Sequence, residues 1–363
     1  MGSNGYTRGH VWFLVFILIS LTLTTPGFRQ AATAAEKTIV LRFGSSYPPP
    51  PNLFAVGVDW WQREVEKRTN GRVKFQNHWG GAVFGPNEVL DALEKRMTDI
   101  VQYAYVYVPG KTPLGNFTVA IPFRPTGALP NLKITRQIFD EFPAFDKELA
   151  RYNGKVLFLQ AIMNYDVSSS TPIRTLDDFK GKKLAVIGLW FPEYTTASGA
   201  TPVTMPAPPR YEAFERKVLD GQILTLDLMD TFKHYEVQKN FTFVPLGSIV
   251  AVAPAINLNC WNALPPDIQQ VLLKTGREAE IWHADLLDKK RDEIIGQWKA
   301  HGVAFHTLPQ ADVDRWAKMM PDTAAGFCRD VEARGFPGWQ IMDRYIKLSE
   351  QYGHKWPRKF AVR

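Results

Sequence analysis

Cysteine is scarce: Cys260 and Cys328 are the only two in 363 residues, and they form no C-x-x-C pair. That excludes a cysteine-ligated zinc centre and a dithiol redox motif, and leaves either one bridge or two buried thiols. Long apolar runs are equally rare. The apolar run near the start, Val11 to Leu23, is uncharged over 13 residues, short of the roughly 20 that a spanning helix needs. Charge of one sign is lacking too, since 43 Lys and Arg face 36 Asp and Glu for a net +7. These charges interleave, as in Glu64, Glu66, Lys67, Arg68 and in Lys289, Lys290, Arg291, Asp292, Glu293, which describes solvated helix faces and excludes a nucleic-acid track. No H-E-x-x-H, G-x-S-x-G, G-x-G-x-x-G or phosphate-loop pattern occurs, and the seven histidines are scattered. Nothing therefore points to the common metal, nucleophile or nucleotide chemistries. Internal repeats and low-complexity segments are absent as well.

What is present begins with a leader. Arg8, the apolar run and the small-residue end Ala32-Thr33-Ala34 follow the order of a secretory signal peptide, which predicts cleavage near residue 35 and a periplasmic location. Removing residues 1–35 deletes Arg8 and Arg29 and no acid, so +7 minus 2 leaves a mildly basic +5. The remaining chain exceeds one ordinary core and predicts two lobes with a cleft between them.

Strand and helix patterns alternate along it. Lys37 to Gly44 reads as a strand, and Phe54, Val58, Trp61 and Val65 recur at helical spacing. A strand from Arg72 to Asn77, a helix from Pro86 to Arg96 and the tyrosine-rich run after Asp99 follow. On a strand, Tyr103, Tyr105 and Tyr107 would share one face. The later part alternates in the same way, with strands Lys155 to Ile162, Leu184 to Ile187 and Val250 to Asn259, helices Leu176 to Lys180 and Pro209 to Leu219, and a long helix from Pro265 to about Gly302. This is an α/β alternation, and open sheets of that kind bind ligands beyond the carboxyl ends of their strands. Expected boundaries are 36–162 plus 250–290 for the first lobe, 163–249 plus 291–352 for the second, and a frayed tail over 353–363.

Several segments together resemble a family. They are T-N-G-R-V-K-F from Thr69, G-x-x-F-G-P ending at Pro86, Thr98-Asp99-Ile100, Ile121-Pro122-Phe123, the run Pro172 to Leu184, G-A-T-P-V-x-M from Gly199, Asp220-Gly221, Tyr235 to Lys239, and Asn257 to Pro265 with Trp261. In this order they are similar to the periplasmic solute receptors of tripartite ATP-independent periplasmic (TRAP) transporters, the dicarboxylate-receptor-like family. The resemblance implies a two-lobed periplasmic binding protein fold with hinge strands and a long helix spanning both lobes. It further implies a receptor that captures a small organic solute in its cleft and hands it to membrane permease subunits, with no catalysis and no cofactor; nothing in the sequence points to an obligate assembly, so a monomer is expected.

One departure limits what the resemblance implies about ligand. After G-K-K-L the family pattern carries an arginine that clamps a ligand carboxylate through paired bonds; this chain has Ala185. The position of a second frequent arginine aligns with Tyr165, and Ile223 and Leu224 stand where polar residues are common. Two ligand readings follow. In one, an aromatic, apolar or weakly anionic solute is held by stacking and shape, lined by Tyr47, Trp79, Phe84, Tyr103, Tyr105, Tyr165, Ala185, Trp190, Phe191, Leu224 and Phe232. In the other, an organic acid is bound through a different cation, Arg210 or Lys233, or through a metal bridge. Asp227, Asp230, His234 and Glu236 sit close enough in sequence to be weighed as a calcium site, against Asp230 as a plain helix cap. A periplasmic lyase or hydrolase is the alternative class.

Overall fold

The computed structural model describes residues 38–360, so the expected leader lies outside the described residues. Residues 38–104 alternate as β1 (Ile39–Ser45), α1 (Leu53–Arg68), β2 (Val73–His78), α2 (Val89–Glu94) and β3 (Ile100–Ala104). Then come α3 (Ala128–Glu141), α4 (Ala144–Ala150), β4 (Gly154–Val156) and β5 (Gln160–Ala161). A second run holds β6 (Tyr165–Ser169), β7 (Lys183–Val186), α5 (Phe191–Ala197), β8 (Thr201–Thr204), α6 (Arg210–Glu215), β9 (Gly221–Thr225), α7 (Leu226–Thr231) and β10 (Asn240–Phe243). The chain closes with β11 (Val250–Asn257), α8 (Leu258–Ala263), α9 (Pro266–Ala300), β12 (Ala304–Thr307), α10 (Gln310–Met319), α11 (Thr323–Ala333) and α12 (Gly338–Gln351).

Two sheets result, one per lobe. The first is ordered β2-β1-β3-β11-β4 with β5 also on β11; the second is ordered β12-β10-β6-β9-β7-β8. Within the first, β1 is parallel to β2 and β3, while the returning β11 runs antiparallel to β3. Strands β3 and β11 are buried on both faces, as a helix-covered α/β sheet requires. Asn52 starts α1 by accepting from the Phe54 and Ala55 N–H groups (3.0 and 3.3 Å), which satisfies donors the helix leaves open.

The chain crosses between the sheets three times. Residues 162–165 lead from β5 to β6, residues 244–250 return from β10 to β11, and the 35-residue α9 crosses again to β12. The first two crossings run side by side, with Ile162 N donating to Ile249 O (3.0 Å), Tyr165 N to Gly247 O (3.0 Å) and Ser248 Oγ to Ile162 O (2.6 Å). Gly247 has φ +80°, and a Cβ there would come within 2.2 Å of the Arg124 carbonyl oxygen, so only glycine fits this crossing. Helix α9 packs on α1 and α3 in the first lobe, where Arg68 pairs with Glu278 and Arg277 with Asp140. In the second lobe Trp298 of α9 donates to Asp230 at the end of α7 (2.9 Å).

Several expectations need correction. The strand expected over 155–162 is split into β4 and β5, because Leu157 to Leu159 turn into the core under α9, whose Glu280 takes the Leu159 N–H (2.8 Å). The strand carrying the tyrosines stops at Ala104, since its partner β11 pairs no further than Val252 with Ala104. Tyr105 to Tyr107 then form a helical turn, so the three tyrosines do not share a strand face. Asp230 lies at the end of α7 and takes the Trp298 N–H, so it caps no helix start. Of the closing helices assigned with 291–352 to the second lobe, α11 and α12 instead share an apolar core with α3 and α4: Ala324, Phe327, Val331, Ile341 and Tyr345 meet Phe117, Ile134, Ile138 and Phe145. The tail is not frayed over its described part. Arg358 donates to the Ala317 carbonyl (3.0 Å), Phe360 is buried, and Trp356 packs on both Phe360 and Tyr345.

Candidate ligand site at the interlobe cleft

In the second sheet β7, β8 and β9 are parallel and β6 runs against β9, pairing Tyr165 with Thr225. The start of β6 therefore lies beside the carboxyl end of β9, where an open sheet presents its ligand-binding loops. Tyr165 is fully buried there. Its ring lies 4.3 Å from that of Phe191, and the Arg124 guanidinium sits 5.6 Å from both rings. Arg124 itself donates to the carbonyls of Ser248, Thr118 and Ile121 (3.1, 3.2 and 2.9 Å), so the first lobe and the hinge hold it behind Tyr165.

Arg210 opens α6, and its head covers β7 and β9. The side chain is fully buried. Nε and Nη2 both donate to Met205 O (3.1 and 2.6 Å), and Nη1 donates to Gln222 Oε1 (3.0 Å) and to Ala185 O (3.4 Å). Every one of these acceptors is neutral, and among the described residues no carboxylate pairs with this guanidinium. Burial pushes its pKa down to about 10, since desolvation disfavours the charged form.

The surrounding hydroxyls report where that charge points. Burial raises the pKa of Tyr107, and the charge of Arg210 opposes the rise. Tyr165 is likewise raised by burial, with Arg124 and Arg210 opposing and Tyr107 and Asp227 reinforcing. Tyr47 is raised by burial and then by Tyr107, Tyr165 and Asp227. Tyr47 and Tyr107 from the first lobe thus lie within Coulombic reach of Tyr165 and Asp227 from the second, and Arg210 lies within reach of Tyr107 and Tyr165. A hydrogen bond already joins the lobes nearby: Asn52 Nδ2 donates to Thr231 Oγ1 (2.9 Å), which donates to Asp227 O (2.8 Å). Asp227 is buried, accepts from the Leu228 and Met163 N–H groups (2.9 and 3.3 Å), and has its pKa raised by burial.

The other expected site residues take varied places. Tyr47 stacks flat on Phe54 at 4.6 Å. Phe84 is buried against Gly44, where a Cβ would meet its ring. Tyr103 and Tyr105 meet edge to face at 4.7 Å, and Tyr105 turns toward Gly115 and Phe139. Trp79 packs on Phe43 (4.9 Å) against the core that holds Trp61 and Leu272. Trp190 is half-buried against Gly326 of α11, and its Nε1 has no partner among the described residues. Ala185 packs with Phe214 and Leu219, Leu224 is fully buried, and Phe232 lies 6.1 Å from His234.

The residues weighed as a metal site do not converge. Asp230 receives Trp298, His234 receives Gln222, and Glu236 receives the Tyr211 hydroxyl (2.8 Å); among the described residues no group of three or more could hold a metal ion. Cys260 and Cys328 are free, buried and in different cores. A cavity of about 460 Å³ does open at the hinge, lined by Asn164, Asp166, Phe243 and Arg291 among others, but it contains none of the tyrosine and arginine group. Sequence reasoning did not single out Gln222 or Arg124, and weighed Asp227 and His234 only as a calcium site. Alternation flagged Tyr107, but where the strand ends decides which way it faces, and that depends on β11.

Comparison with known proteins agrees with this architecture. The model of the bacterial extracellular solute-binding proteins, family 7, matches residues 45–328. The chain belongs to that family. One curated relative, a sialic acid-binding periplasmic protein of Vibrio cholerae, is 26% identical over 159 residues, which are 44% of this chain and 49% of the relative. The chain thus spans about half the length of that relative. Among solved structures, a TRAP solute-binding protein of Rhodoferax ferrireducens in complex with copurified benzoate superposes with TM-score 0.77 at 21% identity, covering 87% of this chain and 99% of that one. A marine metagenome TRAP solute-binding protein, specific for aromatic acid ligands and crystallised with 3-hydroxybenzoate, gives TM-score 0.77 at 22% identity, covering 88% and 100%. Both carry the two-lobed fold of this family 7 chain.

Proposed function

We propose that this protein is the receptor of a TRAP-type transporter for a small organic acid with a flat apolar body, and that Arg210 takes the carboxylate in the cleft. The single observation that carries this reading is the uncompensated cation. A fully buried guanidinium whose bonds all end on neutral oxygens costs on the order of several kcal/mol in desolvation. An anionic ligand supplies the missing counter-charge. Arg210 lies against the Ala185 carbonyl, next to the strand position whose family arginine is missing here. The apolar body would meet Tyr165, Phe191 and Tyr47, whose ring faces, with the two tyrosine hydroxyls, suit an aromatic acid better than a flexible dicarboxylate. The two solved relatives with benzoate and 3-hydroxybenzoate support the same class.

Delivery to permease subunits in the membrane belongs to this reading, as does the absence of turnover. Closure would follow ligand capture, because a ligand touching both lobes favours the state in which both touch it. The experiment is a thermal-shift comparison of benzoate, 3-hydroxybenzoate and the neutral isostere benzamide. At 100 times its dissociation constant an acid adds about 2.7 kcal/mol to the folded state, and the expected result is a rise of several degrees with an acid and none with benzamide. Equal shifts with acid and amide would favour the neutral-solute reading, for which Ala185 and Leu224 speak, and would leave Arg210 without a role in binding.

A further inference from the structure

Behind Arg210 lies a buried polar chain that ligand capture as described does not use. Gln222 on β9 is fully buried. Its Oε1 accepts from Arg210 Nη1 (3.0 Å), and its Nε2 donates to Ser168 Oγ (3.0 Å) and meets His234 Nδ1 (2.8 Å). His234 is fully buried and neutral, its pKa pushed down to about 3 by burial and then by the charge of Arg210. A neutral ring receiving the Gln222 amide at Nδ1 carries its proton on Nε2. Arg210, which can only donate, leaves one orientation for the amide. Turned over, Gln222 would set its NH2 against the Arg210 N–H groups, which only donate, and lose that bond, whereas His234, whose Nε2 has no partner among the described residues, can meet either face of the amide by its choice of tautomer.

We infer that Gln222, locked by His234 and Ser168, is a positioning residue that fixes the Arg210 head while leaving its charge unspent. The inference rests on Arg210 being the ligand's cation. A carboxylate at position 222 would hold the head equally well and pair with it, so no charge would remain for a ligand. A neutral amide holds the head by geometry alone. The chain thus sets specificity: it keeps the site selective for an anion and leaves affinity for neutral solutes untouched. Four of the five Arg210 N–H bonds are committed to Met205, Gln222 and Ala185. The fifth, on Nη2, has no partner among the described residues and is the one available to a ligand oxygen.

The test uses the whole mature chain with benzoate and benzamide as probes, read by calorimetry. Gln222→Glu is expected to weaken benzoate at least about tenfold, which is 1.4 kcal/mol, without weakening benzamide. Gln222→Met, which cannot orient the head, serves if the Glu variant does not fold, with benzoate expected to weaken about threefold or more. Benzoate affinity within twofold of wild type in either folded variant overturns the inference. Arg210→Gln separates the two levels: if it abolishes benzoate binding while Gln222→Glu leaves it intact, only the positioning role falls. If benzoate binding survives Arg210→Gln, or the wild-type chain takes no benzoate at all, the reading beneath it falls as well.

Discussion

Among single residues, the second lobe keeps polar groups where the core is otherwise apolar. Asp166 on β6 shows the cost. It is buried at the hinge cavity, its Oδ1 accepts the Val244 N–H (2.9 Å), and burial lifts its pKa from 3.8 to about 7, with Arg291 opposing. The folded state therefore holds this proton more tightly than the unfolded chain does. Stability from that proton is present below about pH 4 and is lost as pH rises through about 7. Asp166→Asn keeps an acceptor for Val244 and cannot ionise. Its stability relative to wild type, from urea midpoints, should improve steadily from about pH 4 to about pH 7 and level off above; a difference independent of pH over that range would contradict the assignment. Residues of this kind were poorly legible in the sequence. Ala185 could be read as a missing arginine because a motif framed it. Arg210 stood among exposed-looking neighbours, and only the fold shows that its head turns inward over β7 and β9 to neutral oxygens.

Among the helices and strands, the lobes meet through helix ends. Asn52 does two things at once: its Oδ1 caps α1 and its Nδ2 reaches Thr231 at the end of α7. The bond links the first lobe directly to the helix that carries Asp227 in its first turn. Replacing Thr231 by Val keeps the shape and removes the hydroxyl. A bond worth about 1 kcal/mol predicts roughly fivefold faster dissociation of benzoate by stopped flow, with little change in association; an unchanged dissociation rate would mean that the bond does not hold the closed state. Elements with strong punctuation were legible. The long helix was expected from Pro265 and runs Pro266–Ala300, because proline and apolar periodicity mark it locally. The strand expected over 155–162 and the tyrosine run failed for the opposite reason: where each ends is set by pairing with β11, about a hundred residues or more away.

For the molecule as a whole, two sheets, three crossings and one long helix set the lobes about a hinge. The hinge crossings bond to each other and to the Arg124 loop, so the lobes can turn about a narrow joint while α9 keeps them in register. The order of strands and helices carried this architecture in the sequence, and the motif series carried the family. The closing helices were misplaced because an amphipathic helix shows that it has an apolar face but not which lobe covers it; α11 and α12 found theirs on α3 and α4. In the proposed reading, binding turns on Arg210, a buried guanidinium whose bonds end on neutral oxygens. The most direct measurement is the ratio of benzoate to benzamide affinity, by calorimetry, in the wild-type chain and in Arg210→Gln. An anion-awaiting arginine predicts a ratio of at least about a hundredfold in wild type, or roughly 2.7 kcal/mol, falling close to one in the variant. A wild-type ratio near one, or a large ratio that survives loss of Arg210, would contradict it.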